Sequence, residues 1–138
     1  MRNIIKYYVV GLNYKNADLL TRGKFSLSKP QISLLLQQAK SDGLNELMVI
    51  STCNRTELYG IVEDPQILID YLCKFSKGMI SQFKEKGYVL SEQQAINHVF
   101  QVGCGLDSQI IGDFEIIGQL KKSFYNSKKY DIVNGFSE

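Results

Sequence analysis

The tract Ser51-Thr52-Cys53-Asn54-Arg55-Thr56-Glu57 holds the side chains best suited to chemistry: a thiol among hydroxyl, amide and guanidinium groups, at the end of an apolar run. A thiol leaving a buried strand in such company is placed for nucleophilic attack once ionised. An unperturbed cysteine, with a pKa near about 8.5, is thiolate only to a small extent at neutral pH. If the backbone stays extended, Cys53 and Arg55 point to the same side, about 6.8 Å apart along the strand. The Arg55 guanidinium then favours the thiolate and can grip a carboxylate with two parallel bonds. That spacing roughly matches the span from the α-carbonyl to the side-chain carboxylate of glutamate, so an acid anchored at Arg55 would present its carbonyl to Cys53. The ordinary alternatives are a cysteine that is merely packed and an arginine that merely pairs with Glu57.

Few other residues carry a metal or redox signature. Cys53, Cys73 and Cys104 form an odd set without CxxC spacing, and His98 is the only histidine, so no metal site and no disulfide is expected. His98, between Ala95 and Val102, suits a hydrogen-bonded helix position near the core. Gly103-Cys104-Gly105 is not a dinucleotide fingerprint, because Ser108 stands where the third glycine belongs and the segment follows a helix. Cys104 reads as a small hydrophobe at a tight helix end.

The elements that must position Cys53 follow from periodicity and capping. Ile4 to Gly11 reads as a strand and Asn13 to Asn16 as a polar turn. Ser28 to Lys40 reads as a helix, with a Ser28/Gln31 capping box, Pro30 in the first turn, an inward face of Ile32, Leu35, Leu36 and Ala39, and Gly43 as the stop. Two short strands, Glu46 to Ser51 and Glu57 to Val62, flank the cysteine tract. A helix opens at Asp64-Pro65 and buries Ile67, Leu68, Tyr71, Leu72 and Phe75. Tyr88 to Leu90 reads as the last strand. Ser91 with Gln94 opens a helix that Gly103 and Gly105 end, and a final lysine-rich helix starts near Asp113. The order predicts an α+β fold, a ferredoxin-like βαββαβ antiparallel sheet with packed helices and a C-terminal helical extension.

Composition is consistent with one domain spanning residues 1–138, with 44% hydrophobic and 22% charged residues and a net charge of only +2. That is ordinary for a globular core and does not announce a nucleic-acid protein. No apolar run approaches the ~20 residues of a membrane helix, and the opening stretch is too short and polar for a secretory signal. A cytoplasmic protein without membrane partners is expected.

Three segments in order now give a resemblance. STCNRTELY resembles the cysteine signature of glutamyl-tRNA reductases, Gly11-Leu12-Asn13-Tyr14-Lys15-Asn16-Ala17 resembles that family's GxNHKTA opening, and Gly105-Leu106-Asp107-Ser108 with Gly112, Gly118, Gln119 and Lys121 resembles its GLDSxxxGExxIxGQxK segment. The resemblance runs from about residue 9 to 125. Tyr14 replaces a histidine of the family, Leu90 stands where many members carry another, and Asp113-Phe114 stands where Glu-Pro is common.

The resemblance implies NADPH-dependent reduction of glutamyl-tRNA to glutamate-1-semialdehyde, for tetrapyrrole (haem) biosynthesis. A cysteine thiolate first takes the glutamyl group as a thioester, a far better hydride acceptor than a carboxylate. It implies Cys53 as nucleophile, His98 as a catalytic partner, Arg55 as the glutamate clamp, Thr52, Ser108 and Gln119 as substrate contacts, and Asn54 as loop support. It also implies that the NADPH domain and a dimerising C-terminal domain lie elsewhere, leaving a monomeric fragment able to form the thioester or hydrolyse the ester only. The competing expectations are a non-catalytic ferredoxin-like module that binds RNA or protein, and an unrelated Cys/His hydrolase needing Cys53 and His98 in contact with an oxyanion hole.

Overall fold

The computed structural model describes residues 6–44 and 46–109, and the chain divides after Ser91 into two compact units. The first unit is built on a four-stranded antiparallel sheet. Strand β1 spans Lys6–Asn13, β2 Leu47–Ser51, β3 Arg55–Val62 and β4 Tyr88–Ser91. Their order across the sheet is β2-β3-β1-β4, with every neighbouring pair antiparallel. The architecture is therefore α+β, with β1 and β3 central.

Strand β1 runs two residues past the expected end at Gly11, so Asn13 pairs with Arg55 instead of opening the turn. Asn13 still organises the reversal: its carbonyl accepts the Asn16 and Ala17 N–H groups at 3.1 and 3.0 Å, and its Oδ1 accepts that of Lys15 at 3.0 Å.

Two short helices appear that periodicity does not announce. Helix α1 (Leu19–Phe25) is capped by Asp18, whose Oδ1 accepts the Thr21 N–H at 2.8 Å. Helix α4 (Ile80–Lys86) opens at Met79, whose N–H is taken by Gln82 Oε1 at 3.0 Å. The longer helices follow their signals. In α2 (Lys29–Ser41) both capping-box bonds form, Gln31 N–H to Ser28 Oγ at 3.3 Å and Ser28 N–H to Gln31 Oε1 at 2.7 Å. Gly43 then turns the chain at φ +98°, a left-handed conformation that glycine adopts without a Cβ penalty. Helix α3 (Pro65–Phe75) has Asp64 as N-cap and Pro65 in its first turn, and buries Leu68, Ile69, Tyr71 and Leu72.

Alternation along the strands sends Val10 and Leu12 of β1, Val49 of β2, and Leu58 and Val62 of β3 into one core with Phe25, Leu35, Leu68, Leu72 and Phe83 from the helices. Each such side chain contributes about 1.5–3 kcal/mol on burial. The opposite sheet face is also buried, at Val9, Ile50, Tyr59 and, unusually for a charge-bearing residue, Glu57.

In the second unit, α5 spans Glu92–Gln109 and buries Ala95, Val99 and Val102. It corrects one expectation, because Gly103 and Gly105 lie within the helix and do not end it. Two glycines cost about 1 kcal/mol each in a helix interior, a weak local preference that does not stop propagation here. The final helix expected near Asp113 lies outside the described residues.

Candidate active site

Cys53 sits at the tip of the β2–β3 hairpin and is exposed. The chain reverses at Cys53 and Asn54 instead of staying extended, so the strand-like spacing from Cys53 to Arg55 does not apply. Thr52 builds the reversal. Its N–H donates to the Arg55 carbonyl at 2.8 Å, and its Oγ1 accepts the N–H groups of Asn54 and Arg55 at 3.1 and 3.2 Å. A hydroxyl bonding backbone two and three residues ahead is the usual way threonine fixes a tight turn. Asn54 Oδ1 lies 3.9 Å from Cys53 Sγ, within reach of a weak S–H donor. Below the turn, the Ser51 and Thr56 hydroxyls meet at 3.2 Å across the hairpin, and Ser51 Oγ also accepts the Leu27 N–H at 2.9 Å, tying the hairpin to the segment that enters α2.

Cys73 differs in kind from Cys53. Cys73 on α3 is half-buried, and burial, reinforced by Asp70, pushes its thiol pKa up. It is held protonated.

Arg55 opens β3 and places Nη1 3.4 Å from Glu57 Oε2, with side-chain exposures of 18% and 0%. The pairing named as the ordinary alternative is thus present, at the long end of a charge-assisted bond. Glu57 does not rest on Arg55 alone, since the Tyr59 hydroxyl donates to Oε1 and the Tyr88 hydroxyl to Oε2. Asn13 Nδ2 donates to the Tyr88 hydroxyl at 3.3 Å. Burial and the neighbouring carboxylate push both phenols well above their ordinary pKa. The guanidinium is therefore oriented by Glu57, its side-chain partner among the described residues. An arginine held in this way can still accept a carboxylate.

This network was not legible as a site. Its key is Gly11, which pairs with Glu57 on one side and Tyr88 on the other, so the three form one row across β3, β1 and β4. A Cβ on Gly11 would lie 2.7 Å from Glu57 Cγ. Sequence reasoning also missed Arg22 of α1, whose Nε donates to the Cys53 carbonyl at 3.1 Å and whose Nη1 donates to the Ala17 carbonyl at 2.6 Å.

Of the expected site residues, Thr52, Cys53, Asn54 and Arg55 are brought together by the hairpin. His98 is half-buried on α5 in the second unit, Ser108 lies within the same helix, and Gln119 falls outside the described residues. Among the described residues no group of three or more His, Cys, Asp and Glu side chains can hold a metal ion, and no helix is long and apolar enough to cross a membrane.

The family model for the N-terminal domain of glutamyl-tRNAGlu reductase matches residues 10–137. A glutamyl-tRNA reductase of Flavobacterium psychrophilum is 54% identical over 132 residues, which make up 96% of this chain and 32% of that protein. One of Christiangramia forsetii is 51% identical with the same coverage. The solved structure of glutamyl-tRNA reductase from Methanopyrus kandleri matches with a TM-score of 0.57 at 24% identity, covering 90% of this chain and 28% of that one, a likeness of fold alone. The chain spans about a third of the length of the curated relatives it matches. Because the matched segment runs from within β1 through the Cys53 hairpin and the rest of the sheet, over nearly the whole chain, this chain belongs to the glutamyl-tRNA reductase N-terminal domain family.

Proposed function

We propose that this chain carries out the acyl-transfer half of glutamyl-tRNA reduction, with Cys53 as the acceptor, as part of a longer protein serving tetrapyrrole (haem) biosynthesis. The observation that carries the reading is an exposed thiol on a braced turn beside a strand-held arginine. The Cys53 thiolate attacks the ester carbonyl of glutamyl-tRNA, a C–S bond forms, the C–O bond to the terminal ribose breaks, and the ribose oxygen takes a proton. Arg55 binds the glutamate side-chain carboxylate. The same reading assigns proton supply or relay to His98, substrate contact to Thr52, Ser108 and Gln119, and support of the loop to Asn54.

Gly103-Cys104-Gly105 does not form a dinucleotide cradle. Gly103 and Gly105 are helical in α5, whereas a pyrophosphate cradle needs a strand-to-helix turn. Reduction by NADPH, and dimerisation, are assigned in this proposal to parts of the longer protein, with the isolated chain a monomer in the cytoplasm that forms the thioester or hydrolyses the ester. The ferredoxin-like assignment is part of the same reading, and what supports it is the βαββαβ strand order with β1 and β3 central.

The test is intact mass after an acidic quench of the chain mixed with glutamyl-tRNA, wild type beside Cys53→Ser. A hydroxylamine-labile glutamyl adduct on wild type alone is expected; cysteine-dependent deacylation without an adduct would mean a thioester that hydrolyses fast. Neither signal would leave the non-catalytic RNA- or protein-binding module as the better description.

A further inference from the structure

The polar groups of the Cys53 turn are bound in two different ways. Thr52 and Arg55 close the turn from within, through the Thr52 N–H and Thr52 Oγ1. The carbonyl of Cys53 itself is bound from outside, by Arg22 Nε at 3.1 Å, from a residue 31 positions away in the chain. The same guanidinium holds the carbonyl of buried Ala17 through Nη1 at 2.6 Å. One planar group thus ties the turn after β1 to the turn that carries the thiol.

Arg22 works from a fixed base. A helix of seven residues has no stability of its own, but α1 is pinned by Phe25, which is fully buried and stands edge-on to Phe83 with ring centres 6.3 Å apart. The Lys77 N–H also donates to the Lys24 carbonyl at 2.8 Å, fastening the end of α1 to the segment before α4. Bonds from separate N–H positions of a rigid fork to two carbonyls fix the guanidinium, and with it the direction from which Nε holds the Cys53 carbonyl, in a way that a single point donor does not. The Cys53 side chain hangs on the peptide of that carbonyl, so rotating the peptide moves the sulfur.

We propose that Arg22 is a positioning residue that holds the Cys53 peptide so that its sulfur meets the acyl carbon; this rests on reading Cys53 as the acyl acceptor. Arg22 touches backbone oxygen, not sulfur, and acts through Cys53. A misplacement of about 1 Å between reacting atoms costs about 100-fold in rate, so the effect belongs on the chemical step and not on tRNA affinity.

The test uses the 138-residue chain as wild type, Arg22→Ala and Arg22→Lys. Acid-quenched intact mass gives the acylation rate against glutamyl-tRNA concentration, and amide exchange follows peptides covering residues 52–55. The expected result for Arg22→Ala is a maximal acylation rate lowered about 10- to 100-fold, with the half-saturating concentration unchanged and faster exchange confined to the 52–55 turn. Arg22→Lys, which keeps the charge but loses the fork, falls nearly as far. An unchanged maximal rate, or full activity of Arg22→Lys, overturns the proposal. Should Arg22→Ala lose exchange protection throughout α2 and α3, Arg22→Lys decides by the same criteria. If wild type is never acylated, the proposed function fails by itself, and iodoacetamide alkylation of Cys53 judges positioning: an altered rate with faster 52–55 exchange supports it, and an unaltered rate refutes it.

Discussion

Replacing Gly11 by alanine places a methyl carbon 2.4 Å from the Thr56 carbonyl oxygen, 2.7 Å from Glu57 Cγ and 3.0 Å from Glu57 Cα. Two of these three atoms are backbone of the paired strand, so no change of rotamer relieves the contact. Strands β1 and β3 must part by roughly 1 Å, or the row must buckle. Overpacking of this kind costs about 1–3 kcal/mol. Parting the strands also strains the bonds that hold the Glu57 carboxylate, each of which contributes about 1.5–3 kcal/mol when the acceptor is charged. The expected loss is therefore about 3–6 kcal/mol, a large share of the roughly 5–15 kcal/mol that keeps a domain folded. Gly23→Ala is the control, since a Cβ there meets nothing within 4 Å and the residue is helical in α1. It should gain about 0.5–1 kcal/mol. Urea unfolding at neutral pH reads both variants on one scale. A Gly11→Ala midpoint equal to wild type, with an unchanged slope, would refute the close approach of β1 to Glu57.

Other consequences can be read independently. Arg55→Ala should abolish any preference for glutamyl over glutaminyl esters in Cys53 acylation; retained selectivity would remove Arg55 as the clamp. Iodoacetamide on the native chain should label exposed Cys53 at least about tenfold faster than half-buried Cys73, whose thiol is held protonated, as scored by peptide mapping; equal rates would contradict that contrast. In an alkaline titration at 295 nm, Tyr71 should ionise near pH 12, its phenol raised by burial and by its bond to Asp42. Tyr59 and Tyr88 have folded pKa values raised above the ordinary 10.0, so the stability they contribute is complete below about pH 10 and is lost as pH rises above it. Their ionisation should coincide with unfolding, and the double phenylalanine variant should shrink that late absorbance step to the part that buried Tyr7, also raised, contributes.

What the sequence revealed depended on whether local signals agreed with burial. Helices α2 and α3 combine a polar cap with a proline in the first turn and lie where those signals put them, but of the expected inward residues Leu36 is 37% exposed, and Ile32, Ile67 and Phe75 are only partly buried. Helix α1 buries only Phe25 and leaves Leu19 and Leu20 exposed at 70% and 75%, so its apolar residues do not mark the inward face. Helix α4 likewise buries only Phe83. Glycine misled in α5, where Gly103 and Gly105 stand inside a helix, and informed at Gly43, where positive φ made the stop real. Within the site, the Thr52 to Arg55 tract was visible because its members are neighbours in sequence. Arg22 and Tyr88 reach it across 31 residues each, to Cys53 and Glu57, and such contacts follow from strand register and helix placement that no local pattern states. Glu57 and Tyr59 share a face by simple alternation, but only the register at Gly11 shows that Tyr88 joins them.

The polar row behind Arg55 bears on how the site divides its work. A buried carboxylate costs several kcal/mol of desolvation, and a well-packed apolar substitute commonly leaves a protein as stable or more so. Stability alone is therefore a weak reason for Glu57, two phenols and an asparagine to meet on the buried face of the sheet. What the network supplies is orientation, because Glu57 is fixed at both oxygens before it meets Arg55, and β3 is a central strand bonded on both edges. The thiol is held differently, on a two-residue reversal braced by Thr52 and tied to α1 by Arg22. On the acyl-transfer reading, the carboxylate clamp stands on the central strand and the nucleophile on a turn held separately from it, by Thr52 and Arg22. Changes at Glu57 or Tyr88 should then shift the choice of acyl group with little effect on intrinsic thiol reactivity, while changes at Arg22 should slow every acyl group alike.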